Sequence, residues 1–499
     1  ITPSLDLRAI DRMGQQWRRM NRHLPFTIAR ISEEDAAKFA AVAWQYPGFV
    51  INAIPQRIYP NGALASHIIG YIGRISLTEL KTLDIENYRS TEFIGKNGVE
   101  QYYEDQLHGK SGLRYIEVDA KSRPIRELER IAPVTGQDVV LSIDIELQRF
   151  AENLLGDRKG SIVAIDPRNG EVLALASTPT FDPNTFVGGM DHDTYQNLIR
   201  DPKKPMFNRA IQSRYPPGST IKPMMALIGL EINVIRPDTN KFAGPVFDYM
   251  GVQYRDWKKG GHGWVDMNKA IAQSCDVYFY ELALDLTIGR MSAGLVGFGF
   301  GEKTGIDLPG ESSGVRPTPE WKRRIYKKPW YPGETVITGI GQGFMLATPL
   351  QLAQATSVVA MHGQSYPPHL IKNPEILQPN PIYPSKNPRN WDHVIEAMME
   401  VVHGPTGTAR KILPLIHTEM AGKTGTAQVV GFAKDATYNA ESLPEHLRDH
   451  ALFVGFAPAR DPNIAVAVMV ENGGSGGGTA SPLGGLVVDF WQKRLGQTP

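Results

Sequence analysis

The stretch Arg214-Tyr215-Pro216-Pro217-Gly218-Ser219-Thr220-Ile221-Lys222-Pro223, followed by an apolar run over residues 224–230, constrains this chain more than any other. Pro-Pro-Gly breaks any preceding element, and the apolar run is long enough for a buried helix, so the pattern predicts a helix with Ser219 at its N-terminus. Pro223 fits a first helical turn. Residues three apart share a helix face, which sets Ser219 and Lys222 side by side on one exposed turn. An amine desolvated by apolar neighbours can lose its proton and serve as the base a serine nucleophile needs. The bland alternative is a serine cap beside a solvated lysine, because S-x-x-K is short and both residues are common.

Two further stretches weigh against that alternative. Ser274-Cys275-Asp276 lies in a helical pattern, and Lys423-Thr424-Gly425-Thr426-Ala427 precedes the strand-like residues 428–432. S-x-x-K, S-x-[N/D] and K-T-G in that order are far more specific together than any one alone. Here the chain resembles the penicillin-binding protein and serine β-lactamase superfamily. Residues 95–103 and the Thr338-Gly339-Ile340-Gly341-Gln342-Gly343 stretch, with Thr348-Pro349-Leu350-Gln351, are similar to class B penicillin-binding proteins. The resemblance covers about residues 60 to 495.

Composition sets outer bounds. At 499 residues two or three domains are expected, and 53 Lys+Arg against 52 Asp+Glu give no reason to expect a nucleic-acid partner. Arg8, Arg12, Arg18, Arg19 and Arg22 crowd the first segment, which suits either anionic headgroups or a solvated arm. No apolar stretch reaches the length of a membrane span, and Cys275, the only cysteine, excludes an intramolecular disulfide.

The expected fold is α+β in two parts divided near residues 132–137. Residues 1–135 form an amino-terminal α+β pedestal without chemistry, and 136–499 a penicillin-recognising transpeptidase domain, an antiparallel sheet with helices on its faces. In the pedestal, Ser32 caps a helix, residues 48–51 and 66–73 read as short strands, and 97–107 as a helix stopped near Gly109. Beyond the boundary, 139–143 reads as a strand and Asp144 caps a helix. Asn169-Gly170 turns a hairpin between 161–165 and 171–176. The strands at Lys423, 451–456 and 464–470 join that sheet, 473–478 is a mobile glycine loop, and a helix from about Pro482 to Leu495 closes the chain.

The resemblance implies acyl transfer from a peptidoglycan stem peptide ending in D-Ala-D-Ala, with β-lactams as acylating mimics and no catalytic cofactor. Ser219 would be the nucleophile, Lys222 its base, Ser274 a proton relay and Lys423 a source of positive potential near the substrate carboxylate. Thr424 and Thr426 would bind that carboxylate, Gly425 would leave room for backbone approach, and the N–H groups of Ser219 and Thr426 would form the oxyanion hole. Asp276 departs from the commoner asparagine, and with Gly261-His262-Gly263 it resembles the elongation-type branch. That branch implies a periplasmic enzyme anchored to the inner membrane by an amino-terminal helix absent from this sequence. It also implies a partner glycosyltransferase of the shape, elongation, division and sporulation type and an activating scaffold protein. A β-lactamase would need an E-x-x-L-N element between the second and third motifs, which is not found, and a β-lactam sensor would share the motifs without turnover. Finally, Asp248, Asp256, His262 and Cys275 gather around the S-x-D motif and offer a four-ligand set for a structural zinc, against the plain reading of Cys275 as a buried small hydrophobe.

Overall fold

The computed structural model describes residues 31–46, 49–51, 56–88, 91, 93–120, 124–190, 192–372, 380–381, 387–429 and 443–496. The arginine-rich first segment, Gly48 and residues 430–432 of the expected strand lie outside them. Two compact units are present. The described residues up to 58, with 76–92 and 108–137, form one unit, and 59–75, 93–107 and 138 onward form the other. In the first, Ser32 Oγ accepts from Asp35 N (3.1 Å) to cap the helix Glu33–Val42, as the acidic start suggested. Strands Leu113–Val118 and Pro124–Ile131 of the same unit pair antiparallel.

The second unit is built on a five-stranded antiparallel sheet. Strands β1 (Gly160–Ile165), β2 (Val172–Thr178), β3 (Ala421–Ala427), β4 (His450–Ala457) and β5 (Ile464–Val470) run in the order β3-β4-β5-β1-β2. Successive side chains alternate faces, so the nearly unbroken burial of these strands means that both faces are covered. Helices α1 (Ile145–Leu155), α7 (Pro349–Ala360), α8 (Pro388–His403) and α9 (Ser481–Leu495) supply the cover, and every residue of α7 is buried. Asp144 caps α1 by accepting from Glu146 N and Leu147 N. Thr348 and Gln351 make a reciprocal capping box at α7, with Pro349 in the first turn. The β1–β2 hairpin turns at Asp166–Gly170, where Gly170 N donates to Asp166 O (2.9 Å).

Four local expectations need correction. Residues 139–143 make only a bridge, Leu141 to Ile371, because their partners are the loop residues 370–372 instead of a sheet strand. Residues 66–69 form one helical turn before the strand Ile72–Arg74, since backbone closure at Ala65 O and Ser66 O outcompetes extension. The helix over 98–108 divides at Tyr103. The glycine-rich 473–478 is no slack loop: Gly476–Ala480 is a π-helical turn feeding α9, pressed on β3 so closely that a Cβ at Gly476 would sit 2.3 Å from Gly425 O.

Candidate active site

The nucleophile candidate sits on a 3-10 turn, Gly218–Ile221, that runs into α2 (Lys222–Glu231). Gly218 adopts φ 54°, and a Cβ there would lie 2.6 Å from Thr426 O, so only glycine lets the Ser219 turn meet β3. Gly218 N donates to Gly341 O (2.9 Å), and Tyr215 exchanges both backbone hydrogen bonds with Ala347. Behind the turn, Glu471 Oε1 accepts from Tyr215 Oη (2.7 Å) and Arg209 Nε (2.9 Å). Burial alone would raise the Glu471 carboxyl, but those two donors hold it below the usual range, so the carboxylate acts as a charged peg. Sequence reasoning missed this peg; its signal was a lone acid directly after the apolar β5.

Lys222 is buried, which corrects the expected exposed turn. Its Nζ donates to Ser274 O (2.8 Å), Ser274 Oγ (3.3 Å) and Asp276 Oδ1 (2.7 Å), and lies 5.4 Å from the Phe279 ring centroid. S-x-x-K and S-x-D are therefore one hydrogen-bonded unit. The second motif does not lie within a helix as expected. It occupies the break between α3 (Met267–Ala272) and α4 (Asp276–Val296, itself broken at Thr287), with Ser274 in the left-handed region at φ 56°. A non-glycine residue pays strain for that conformation, and its neighbours hold it there. Trp257 is among them: Nε1 donates to Gln273 O (3.2 Å) and Ser274 O (3.1 Å), and its backbone N to Asp276 Oδ2 (3.3 Å). Nothing in the sequence marked Trp257 except its place directly after Asp256.

Lys423, Thr424, Gly425 and Thr426 lie on β3, the sheet edge, paired on one side with residues 451–454 of β4. Lys423 is fully buried; burial and, secondarily, the charge of Lys222 push its amine well below the lysine range, partly offset by Asp276. A carboxylate brought beside it would favour the protonated form. Thr424 Oγ1 shares a hydrogen bond with Thr408 Oγ1 (2.7 Å), Gln342 Nε2 donates to Thr426 O (3.0 Å), and Gly476 N reaches Thr426 Oγ1 (3.4 Å). Thr408 was not anticipated. A Cβ at Gly425 would lie 2.7 Å from Thr220 Cγ2, so the strand and the Ser219 turn touch at this glycine.

Of the four zinc candidates, Asp256, His262 and Cys275 converge and Asp248 does not. The three are buried, with ligand atoms all within 4.8 Å of one another. Asp248 is exposed on the strand Val246–Tyr249, turned outward by the hairpin that pairs it with Gln253. Asp256 Oδ1 meets His262 Nε2 (3.0 Å), while Oδ2 accepts from Asp276 N (2.8 Å) and Val277 N (3.2 Å), capping α4. Burial would raise the Asp256 carboxyl, yet the His262 and Lys258 hydrogen bonds bring it below its ordinary value. Burial and Asp256 push the Cys275 thiol up to about 12, the value for a site without a cation.

Comparison with known proteins gives two family matches: a penicillin binding protein transpeptidase domain over residues 160–486 and a penicillin-binding protein dimerisation domain over 6–141. The peptidoglycan D,D-transpeptidase MrdA of Acinetobacter baumannii is 46% identical over 471 residues, covering 92% of this chain and 70% of that protein. Among solved structures, Pseudomonas aeruginosa PBP2 in complex with WCK 5153 is 45% identical with TM-score 0.78, over 87% of this chain and 90% of that one. The Helicobacter pylori complex between PBP2 and MreC is 33% identical with TM-score 0.87, over 100% of this chain and 93% of that one.

Proposed function

Because this chain belongs to the penicillin-binding proteins carrying transpeptidase and dimerisation domains, we propose that it cross-links peptidoglycan stem peptides as a D,D-transpeptidase during cell elongation. The observation that carries the reading is the convergence of the Ser219 turn, the Lys222–Ser274–Asp276 network and the K-T-G-T edge strand on one another. Ser219 Oγ attacks the carbonyl of the penultimate D-Ala, Lys222 accepts its proton, and Ser274 passes a proton to the departing D-Ala amine. The donor peptide adds to the free edge of β3, where its carboxylate meets Thr424, Thr426 and Lys423. Backbone N–H groups of Ser219 and Thr426 receive the developing oxyanion. An acceptor amine then releases the acyl group; a β-lactam follows the first half alone. Labelled penicillin followed by intact-protein mass spectrometry and peptide mapping tests this: one adduct on Ser219 is expected, and none in Ser219→Ala. An adduct elsewhere in that variant overturns the assignment.

The reading extends to residues 1–135 as a non-catalytic pedestal and to 136–499 as the catalytic domain. It places the enzyme in the periplasm, anchored to the inner membrane by a helix outside this sequence; no described helix is long and apolar enough to cross a membrane. Its partners would be a polymerising glycosyltransferase and a scaffold protein; the similarity to an MreC-bound PBP2 supports the second. Catalysis needs no cofactor. Asp256, His262 and Cys275 offer zinc an oxygen, a nitrogen and a sulfur within reach of one ion, which supports a structural zinc that would brace the cap of α4. Elemental analysis after dialysis decides it: below about a tenth of an equivalent, with chelator-insensitive melting, the site holds none.

A further inference from the structure

The segment from Trp321 to Tyr331 carries Arg323, Arg324, Lys327 and Lys328 within six residues, in a chain whose net charge is only +1. All four are exposed, and among the described residues none makes an ion pair. Glu320, itself exposed, interacts electrostatically with Arg323. Helix α5 (Pro319–Tyr326), capped by Thr318, presents the first two, and Lys327 ends it in the left-handed conformation.

Beneath these cations lies a built platform. Lys322 is buried, paired with Glu334, and its Nζ lies 4.4 Å from the Tyr331 ring centroid and 5.5 Å from that of Phe344. Phe344 in turn touches the rings of Trp321 (5.5 Å), Tyr326 (5.1 Å) and Trp330 (6.2 Å). Tyr326 and Tyr331 remain about half exposed at 49% and 52%. Glu334 also accepts from Tyr331 N (2.8 Å) at the start of α6 (Pro332–Thr338), so the platform is fastened to that helix. From α6 the chain passes directly to Gly341, whose carbonyl accepts from Gly218 beside the nucleophile.

We propose that this platform is an exosite for the uncross-linked glycan strand, its exposed rings stacking on sugar faces while the four cations meet the carboxylates of stem peptides outside the active site. The inference rests on the transpeptidase reading, which makes the substrate an anionic sugar polymer. Charge complementarity and fixed half-exposed rings favour that polymer over a lipid surface. In this segment Ile325 is the only aliphatic side chain, and the rings are held by one another and by Lys322 instead of being free to insert.

The test compares the full chain with R323Q/R324Q/K327Q/K328Q for binding to soluble, uncross-linked glycan strands with pentapeptide stems. Affinity should fall about tenfold, and more steeply with salt for the unaltered protein. Strands stripped of their stem peptides should bind both proteins alike and weakly. Penicillin acylation at Ser219 and turnover of a short D-Ala-D-Ala peptide should not change in the variant, which separates failure of the exosite from failure of the transpeptidase reading. Single variants Arg324→Gln and Lys328→Gln, each expected to lose part of the affinity, serve if the fourfold variant does not fold. Unchanged strand binding in the variants overturns the proposal, as does no binding by the unaltered protein. Loss of binding to anionic phospholipid vesicles with strand binding intact reassigns the surface to lipid.

Discussion

At the residue scale the site is a set of buried charges with few partners to spare. Trp257 spends its indole N–H on the strained Ser274 turn, so Trp257→Phe keeps the ring and removes a tether. The acylation rate constant should fall about tenfold while the non-covalent affinity for penicillin and the melting temperature stay unchanged. An unaltered rate constant shows that the indole N–H is not needed to hold Ser274. Lys423 makes a second prediction. Its amine sits well below the lysine range because of burial first and Lys222 second. An incoming carboxylate opposes both, so the folded pKa rises on binding and the site takes up a proton. Calorimetry in buffers of different ionisation enthalpy should find net proton uptake, and binding that weakens as pH rises. Lys423→Gln should abolish the uptake; no uptake in the parent protein means Lys423 is already charged. Residue types and order were enough to single out Ser219, Lys222, Ser274, Asp276 and the K-T-G-T strand, which the fold brings together. Burial and backbone angle were not legible, since neither Lys222's enclosure nor the φ of Ser274 leaves a mark in local spacing.

At the element scale, β3 and the Ser219 turn meet through missing side chains. Gly425→Val would place methyl groups against Thr220 Cγ2, already 2.7 Å from the position of a Cβ, and Pro217 O at 3.1 Å. Displacement of about 1 Å between nucleophile and strand should slow acylation about a hundredfold. Circular dichroism should remain native, because the β3–β4 ladder runs the whole length of β3 and its nearest atom, Leu452 Cβ, is farther from the new Cβ at 3.3 Å. Acylation within threefold of the parent would show that the turn follows the strand. Capped elements were the most legible: Asp144, Ser32 and Thr348-Pro349 each mark a helix start by a local hydrogen bond. Residues 66–73, 139–143 and 473–478 misled because their conformation is set by distant backbone, as where Gly476 lies on Gly425. Asp248 failed as a ligand for a related reason. Sequence proximity to Asp256 said nothing about which side of the 246–255 hairpin it would face.

At the scale of the molecule, the expected cut near residue 135 crosses an interleaved architecture. Residues 59–75 and 93–107 belong with the catalytic unit: Ile68, Val99 and Tyr103 join its core, and Tyr103 Oη donates to Asp307 Oδ2 (2.5 Å). A piece from residue 136 onward keeps Ser219, Lys222, Ser274, Asp276 and Lys423 and should still be acylated by penicillin. It should melt at least about 5 °C below the full chain, having lost those buried contacts. Equal melting temperatures would show that the two inserted segments add no stability to the catalytic unit.

The strand order has a consequence for synthesis. Ile162 of β1 pairs with Val468 of β5, so the sheet is complete only once residue 470 has been made. At roughly 5–20 residues per second, the apolar β1–β2 hairpin waits on the order of 15–60 s for its neighbour. Throughout that interval a largely apolar strand edge, interrupted only by Ser161, is open to any passing polypeptide. Any factor that shields the hairpin during that interval is therefore expected to raise the yield of folded protein.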